Sequence, residues 1–329
     1  MDLNEIKSFL GDDWKKVLEK IDEQLGSDIE VLDSTNRQIL SHSGKQLRPM
    51  LSLLVARACS AGRITEASVC YAAASELLHN ATLLHDDVAD SSDERRGVPT
   101  IRSVMGASVS VLVGDYWLVK AMECILSCHT SLDGRVIRLF SRTLSDLAEG
   151  EMLQLQKAGS CDTTEEDYRR IIFNKTASLF EVSAVSAAIS VNAPAEMEDA
   201  VRRYAGSLGL AFQIRDDIFD YAVSSAQIGK PVGVDIMEQK MTLPLLGALR
   251  MAGEETAADI RRKVMEIHSH PEYREEIIGF VRDYGGIGYA MDRLGEYLDE
   301  AVTALDVLPE TREKLYLIEI ADYVGKRLS

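Results

Sequence analysis

Apolar residues recur three and four positions apart along nearly the whole chain, which is the signature of helices with one buried face. The residues from Asp2 to about Leu40 read as two amphipathic helices broken near Gly26-Ser27, and Ser41-His42-Ser43-Gly44 reads as a turn. Pro49 suits the first turn of a helix running to about Ala61. From about Val69 to Ala89 the apolar positions wrap all round, as in a buried helix, and its small residues Ala72, Ala73, Ala74 and Ser75 permit close helix packing or leave a hollow. Further helices are expected over Ala107–Cys128, over Leu132 to about Lys157, from a capping box at Thr163-x-x-Glu166, over Tyr204–Ile214 and from Leu245. From Glu255 onward the pattern is a series of helices punctuated by Pro271, Gly285-Gly286 and Pro309. Strand-type alternation recurs nowhere, so no sheet is expected, and no short repeat is visible.

Composition adds limits. The 329 residues allow a large core, and no linker interrupts them, so one all-α domain over residues 1–329, a large helical bundle, is expected. A net charge of −17 argues against nucleic acid as a partner and means that an anionic substrate needs local cations. The five cysteines, Cys59, Cys70, Cys124, Cys128 and Cys161, are odd in number and sit in apolar settings, as expected of reduced thiols in a cytoplasmic protein. Cys124 and Cys128 are one helical turn apart, and core packing is the expected role rather than a zinc half-site. The start of the chain has neither a basic nor an apolar leader region, and no apolar run approaches a bilayer span.

The candidate chemistry lies in two matching stretches. In His85-Asp86-Asp87-Val88-Ala89-Asp90, Asp86 and Asp90 share one helix face and Asp87 lies about 100° round from Asp86. Arg95-Arg96 follow five residues later and suit bidentate phosphate contact. A lone Asp-Asp-x-x-Asp is most often a solvated helix end. The second copy, Asp216-Asp217-Ile218-Phe219-Asp220, has the same spacing after an apolar helical run. Six carboxylates converging without a cation would repel by about 4 kcal/mol per close pair at an effective dielectric of about 20. Convergence therefore implies a hard divalent cation, and Mg²⁺ takes one or two carboxylates together with substrate phosphate.

Other residues fit the same chemistry. Lys45 and Arg48 stand three apart at a helix entry, where backbone N–H groups favour anions. Lys175-Thr176 lies in an apolar helical run; the plain reading is a snorkelling Lys and a core Thr, the functional one an ammonium and a hydroxyl aimed at phosphate. Lys230, between Gly229 and Pro231, and Lys240, before Thr242-Leu243-Pro244, sit in loops of the kind that cover phosphates. Glu76-x-x-His79 raises a di-iron bundle as a rival, but a second Glu-x-x-His is lacking.

Taken in order, Gly44-Lys45-x-x-Arg48-Pro49, His79, Asp86-Asp87-x-x-Asp90, Arg95-Arg96-Gly97, Lys175-Thr176, Gln213-x-x-Asp216-Asp217-x-x-Asp220, Gly229-Lys230 and Lys240-x-Thr242-Leu243-Pro244 resemble the trans-type isoprenyl diphosphate synthases, or polyprenyl synthetases. Ser43 stands where many members have Gly, and Gln46 where many have a basic residue, which removes one charge near the homoallylic substrate. The resemblance implies a prenyltransferase that holds an allylic diphosphate by Mg²⁺, three per site, between the triads Asp86, Asp87, Asp90 and Asp216, Asp217, Asp220. Six aspartates and three Mg²⁺ sum to zero charge, leaving Arg95, Lys175, Lys230 and Lys240 to meet the diphosphate. Isopentenyl diphosphate would be gripped by Lys45, Arg48, His79 and Arg96, while Gln213 and Thr176 supply neutral hydrogen bonds near the cation. No side-chain base is evident, and the released diphosphate is the implied proton acceptor.

In this family the residues four and five before the first aspartate set the product tunnel's floor. Here they are Thr82 and Ala81, neither aromatic, with Leu78, Ser75 and Ala74 one to two turns earlier. Ala74 lies about 18 Å of helix from Asp86, so a long-chain product of about six to ten isoprene units is expected. Trp117, Met122, Phe140 or Met152 on facing helices remain alternative floors. The alternatives are a geranylgeranyl- or farnesyl-type synthase, a terpene cyclase and a non-catalytic subunit of a heteromeric synthase. A cyclase lacks the Gly-Lys-x-x-Arg site and has one Asp-rich motif; a non-catalytic subunit tends to lose the aspartates kept here. The resemblance also implies a homodimer, with weak peripheral membrane contact following from the apolar product.

Overall fold

The computed structural model describes residues 3–95, 97–128, 130, 133–222 and 232–326. It is all-helical apart from one short ladder, in which Glu94–Arg95 (β1) pairs antiparallel with Val98–Pro99 (β2), Arg95 opposite Val98. No sheet was expected there; the turn between Arg95 and Val98 contains Gly97 at φ 77°. The chain packs into two compact units. One holds Met1–Ser141, Val182–Arg202 and Val307–Leu317, and the other Arg142–Glu181, Arg203–Asp306 and Ile318–Ser329.

In the first unit the N-terminal region forms three helices rather than two: α1 (Leu3–Leu10), α2 (Asp12–Leu25) and α3 (Glu30–Ser41). The extra break is at Gly11, whose φ of 56° is open to glycine at little cost and ends α1. Apolar residues at Trp14, Val17, Ile21 and Leu25 of α2 are buried on one face, as the periodicity predicts. Arg57 of α4 (Leu47–Ala58) staples the break: it donates to Phe9 O at 3.1 Å, Leu10 O at 2.8 Å and the Asp13 carboxylate at 2.6 Å. It thus satisfies carbonyls that a helix end leaves without an intrahelical partner.

Helix α5 (Glu66–Ala89) is capped by Thr65 and Ser68, each side chain bonding the other residue's backbone N–H. It packs against α2, α4 and α7 (Ala107–Leu126). Ala72, Ala73, Ala74 and Ser75 have no accessible surface, so of the two sequence options they serve close packing. The Ser110 hydroxyl donates to Leu84 O at 2.8 Å. Between β2 and α7 lies α6 (Ile101–Met105). Cys70 and Cys124 are buried where α5 meets α7, and the Cys124 and Cys128 thiols donate to the carbonyls of Cys70 and Cys124. All five cysteines are free thiols.

Helix α8 (Asp133–Ser160) is followed by α9 (Glu165–Ile172), a π-helical turn over Phe173–Ala177 and α10 (Ser178–Ser190). The capping box of α9 uses Thr164 and Asp167, one residue beyond the expected Thr163 and Glu166. Both pairs fit the sequence spacing; the position of the first buried turn decides between them. Helix α11 (Ala195–Ala222) carries the second triad and begins nine residues earlier than its most apolar run suggested. Later helices cover Val234–Met237, Leu243–Met251, Glu254–Met265, Tyr273–Asp283, Gly286–Ala304 and Arg312–Lys326. Among the described residues no helix is long and apolar enough to cross a membrane.

Candidate active site

The first triad closes α5. Asp87 is buried and its carboxylate accepts from Arg95 Nε at 2.7 Å, while Asp86 is half-buried and Asp90, the C-cap, is exposed. The helical offset read from the sequence is thus realised: Asp87 points inward, and Asp86 and Asp90 share an outer face. The β-hairpin explains the Asp87–Arg95 pair, because it turns the chain back toward the helix end. His79, Lys45 and Arg48 are half-buried. Gln46 takes a left-handed conformation at the start of α4, and Lys7 of α1 donates to its Oε1 at 3.4 Å. An ammonium therefore stands beside Gln46, the position where many members of the resembled family carry a basic residue. Burial holds the Lys7 amine below its ordinary pKa, opposed by the nearby Glu76.

The chain-length candidates lie on α5 in the same unit. Ser75, Leu78 and Ala81 have no accessible surface, and Thr82 is half-buried with its hydroxyl on His79 O at 2.8 Å. Of the alternative floors, Trp117 and Phe140 are fully buried, whereas Met152 is largely exposed. Trp117 is anchored by donating to Asn36 Oδ1 at 2.8 Å.

Of the second triad, Asp217 lines a cavity of about 150 Å³ within the other unit, with Tyr168, Lys175, Thr176, Gln213 and Lys240 on the same wall. The π turn places Lys175 and Thr176 there. Such a turn adds a residue to a helical coil and is frequent at functional sites. Two glycines let neighbouring helices approach it. A Cβ on Gly150 of α8 would lie 2.7 Å from Asn174 Cβ, and one on Gly209 of α11 would lie 2.5 Å from Ala177 Cα. Lys175 pairs with Glu151 Oε2 at 2.5 Å. Thr176 donates to Gln213 Oε1 at 2.8 Å, and Gln213 Nε2 donates to Asp217 Oδ1 at 2.9 Å. Tyr168 donates its hydroxyl to the other Asp217 oxygen at 2.6 Å.

The three aspartates of this triad are unequal. Asp216 is half-exposed, with Arg215 Nη2 at 3.2 Å. Asp217 is buried, and burial pushes its carboxyl up to about 7 against the pull of its Tyr168 and Gln213 hydrogen bonds. Asp220 accepts the backbone N–H groups of Val234 and Asp235 at 3.0 and 2.9 Å. Asp235 is also raised, by burial first and then by the charges of Asp217 and Asp220. Buried negative charge therefore exceeds what the nearby protein cations neutralise.

That excess, and the all-oxygen donor set, fit a hard divalent cation. Among the described residues no three acidic, histidine or cysteine side chains already surround one point. Carboxylate oxygens are the donors that hard divalent cations take. The simple charge count needs one correction. Arg95, Lys175 and Lys240 are not uncommitted cations, because Asp87, Glu151 and Glu238 pair with them. Arg96 and Lys230 lie outside the described residues. Tyr168, Glu151 and Asp235 were assigned no role in the sequence reading. Glu151 meets Lys175 and Tyr168 meets Asp217 only through tertiary packing, and no local motif marks them.

Comparison with known proteins identifies the family. The polyprenyl synthetase family matches residues 29–280. Octaprenyl diphosphate synthase of Escherichia coli is 38% identical over 327 residues, covering 99% of each chain. The crystal structure of a decaprenyl diphosphate synthase from Rhodobacter capsulatus superposes with a TM-score of 0.92 at 33% identity, covering 100% of both chains. A polyprenyl synthase from Caulobacter crescentus, solved with calcium and isoprenyl diphosphate, gives a TM-score of 0.89 at 30% identity over 99% of this chain and 98% of that one. With a match across most of its length and relatives that share its full extent, this chain belongs to the polyprenyl synthetase family and is a trans-prenyltransferase.

Proposed function

We propose that the protein condenses isopentenyl diphosphate head-to-tail with an allylic diphosphate, releasing diphosphate and giving a long-chain trans polyprenyl diphosphate. The carrying observation is the under-neutralised carboxylate cluster of buried Asp217 with half-buried Asp220 and Asp235, of which Asp217 and Asp235 share a cavity wall with Lys175 and Lys240. Such a cluster calls for a dication and a polyanion together. Calcium with isoprenyl diphosphate in the Caulobacter structure supports the same pairing.

In this reading both aspartate triads serve one allylic diphosphate, and the chain works as a single catalytic body. When bound, Mg²⁺, three ions per site, supplies the positive charge that the leaving diphosphate needs. Arg95 and Lys175, already oriented by Asp87 and Glu151, add charge to the leaving oxygens as the C–O bond ionises; Lys230 and Lys240 extend the same field. The oxygens of Thr176 and Gln213 flank the cation. Lys45, Arg48, His79 and Arg96 hold isopentenyl diphosphate, whose double bond attacks, and the released diphosphate takes the proton.

Product length rests on the octaprenyl and decaprenyl relatives and on small residues at Ala81 and Thr82. Ala81, Leu78 and Ser75 are packed shut, so a chain growing past them must part α5 from its neighbours. The enzyme is read as a cytoplasmic homodimer, with the exposed Val111, Leu112, Val119 and Leu126 of α7 supporting a helix-to-helix interface. Weak membrane contact would follow from the apolar product. Purified protein with Mg²⁺, isopentenyl diphosphate and each allylic primer tests the reading, with the dephosphorylated products sized by chromatography. A ladder ending at four units selects the geranylgeranyl-type alternative, and no turnover selects the non-catalytic one.

A further inference from the structure

The side chains around Asp217 form a chain of hydrogen bonds with a fixed direction. Tyr168 donates to one carboxylate oxygen and Gln213 Nε2 to the other. The amide nitrogen of Gln213, its only donor, is therefore the atom that faces Asp217. The amide oxygen then turns to Thr176, whose hydroxyl donates to it. Thr176 has spent its one hydrogen, and what it offers the cavity is oxygen lone pairs.

We propose that Tyr168, which no motif in the sequence marks, is a positioning residue for the prenyl transfer. By holding the inner oxygen of Asp217, it fixes the direction of the whole relay, so that Thr176 and Gln213 present oxygen where positive charge develops. This rests on the prenyltransferase reading above. Without Tyr168, Asp217 can swing, the Gln213 amide can invert, and Thr176 can turn its hydrogen inward, toward the developing cation.

The test compares Tyr168→Phe with wild-type enzyme by calorimetry in Mg²⁺, using two probes. Farnesyl thiodiphosphate binds without ionising; an aza-analogue carries an ammonium in place of the carbon that becomes cationic. Loss of one directing hydrogen bond should weaken the aza-analogue about tenfold and leave the thio-analogue within about twofold. The same variant should lose about tenfold in kcat with an unchanged KM for isopentenyl diphosphate. p-Aminophenylalanine at position 168, which keeps a donor, should restore both values, and p-methylphenylalanine, of similar size, should not. That isosteric pair decides the matter if Tyr168→Phe fails to fold. Equal weakening of both probes, or no change in either, overturns the proposal. A wild-type chain that extends no primer overturns the parent reading instead.

Discussion

Gly209 gives the most direct test of how the site is held. A Cβ there would sit 2.5 Å from Ala177 Cα and 2.8 Å from Ala177 Cβ, both part of the π turn. Ordinary carbon contacts begin near 3.5 Å, so Gly209→Ala must push α11 and the turn apart by about 1 Å. The obstacle is backbone and a methyl group, so no flexible side chain can yield. Overpacking of this kind costs about 1–3 kcal/mol. At about 2.1 cal/mol/K per residue, a chain of this length unfolds with an entropy of about 0.7 kcal/mol/K, so about 2 kcal/mol lowers Tm by about 3 °C. Gln213 lies one helical turn from Gly209, and its 2.8 Å bond to Thr176 spans the same gap. Opening that bond by about 1 Å removes it, at about 1–1.5 kcal/mol, or roughly a tenfold fall in kcat. Differential scanning fluorimetry and steady-state kinetics on the same sample give both numbers. Gly279→Ala is the control: its Cβ meets nothing within 4 Å, and a helical Gly→Ala change there should stabilise slightly. If Gly209→Ala melts within about 1 °C of wild type and keeps its kcat, the close approach is not what holds the π turn.

Three further outcomes are expected. Ala81→Phe should shorten the product sharply, and an unchanged product ladder would remove Ala81 from the tunnel. Lys7→Gln should raise the KM for isopentenyl diphosphate about three- to fivefold, the worth of a partly screened charge, and leave the allylic KM unaltered; equal changes in both would assign Lys7 a purely structural part. The Asp217 carboxyl, raised by burial to about 7, binds its proton more tightly in the folded chain than in the unfolded one. Its contribution to stability is full below the unfolded value and lost as pH rises through about 7. Metal-free protein should therefore melt lower at pH 8 than at pH 6, with Mg²⁺ restoring more stability at pH 8; a flat profile would mean that another cation already neutralises the site.

The helical class and the family were legible in the chain itself, because the helical period and the order of the motifs depend on spacing along the chain. Asp86, Asp87 and Asp90 take the faces that a 3.6-residue turn assigns them. Pro49 sits in a first turn, and the Lys-Thr pair falls in an apolar run. Errors arose where local sequence allows two equivalent answers. Thr163 and Thr164 both satisfy a capping pattern, and Gly11 breaks a periodicity that continues on either side of it. Tertiary structure decided the rest. Counting charges cannot show that Arg95, Lys175 and Lys240 already have carboxylate partners, since Glu151 and Lys175 meet only after α8 packs on the π turn. Nor does the motif reveal that three aspartates with one spacing differ so widely in exposure. Spacing fixes which side chains share a helix face; burial and hydrogen-bond direction are set by the neighbours that face meets, and those come from remote parts of the chain.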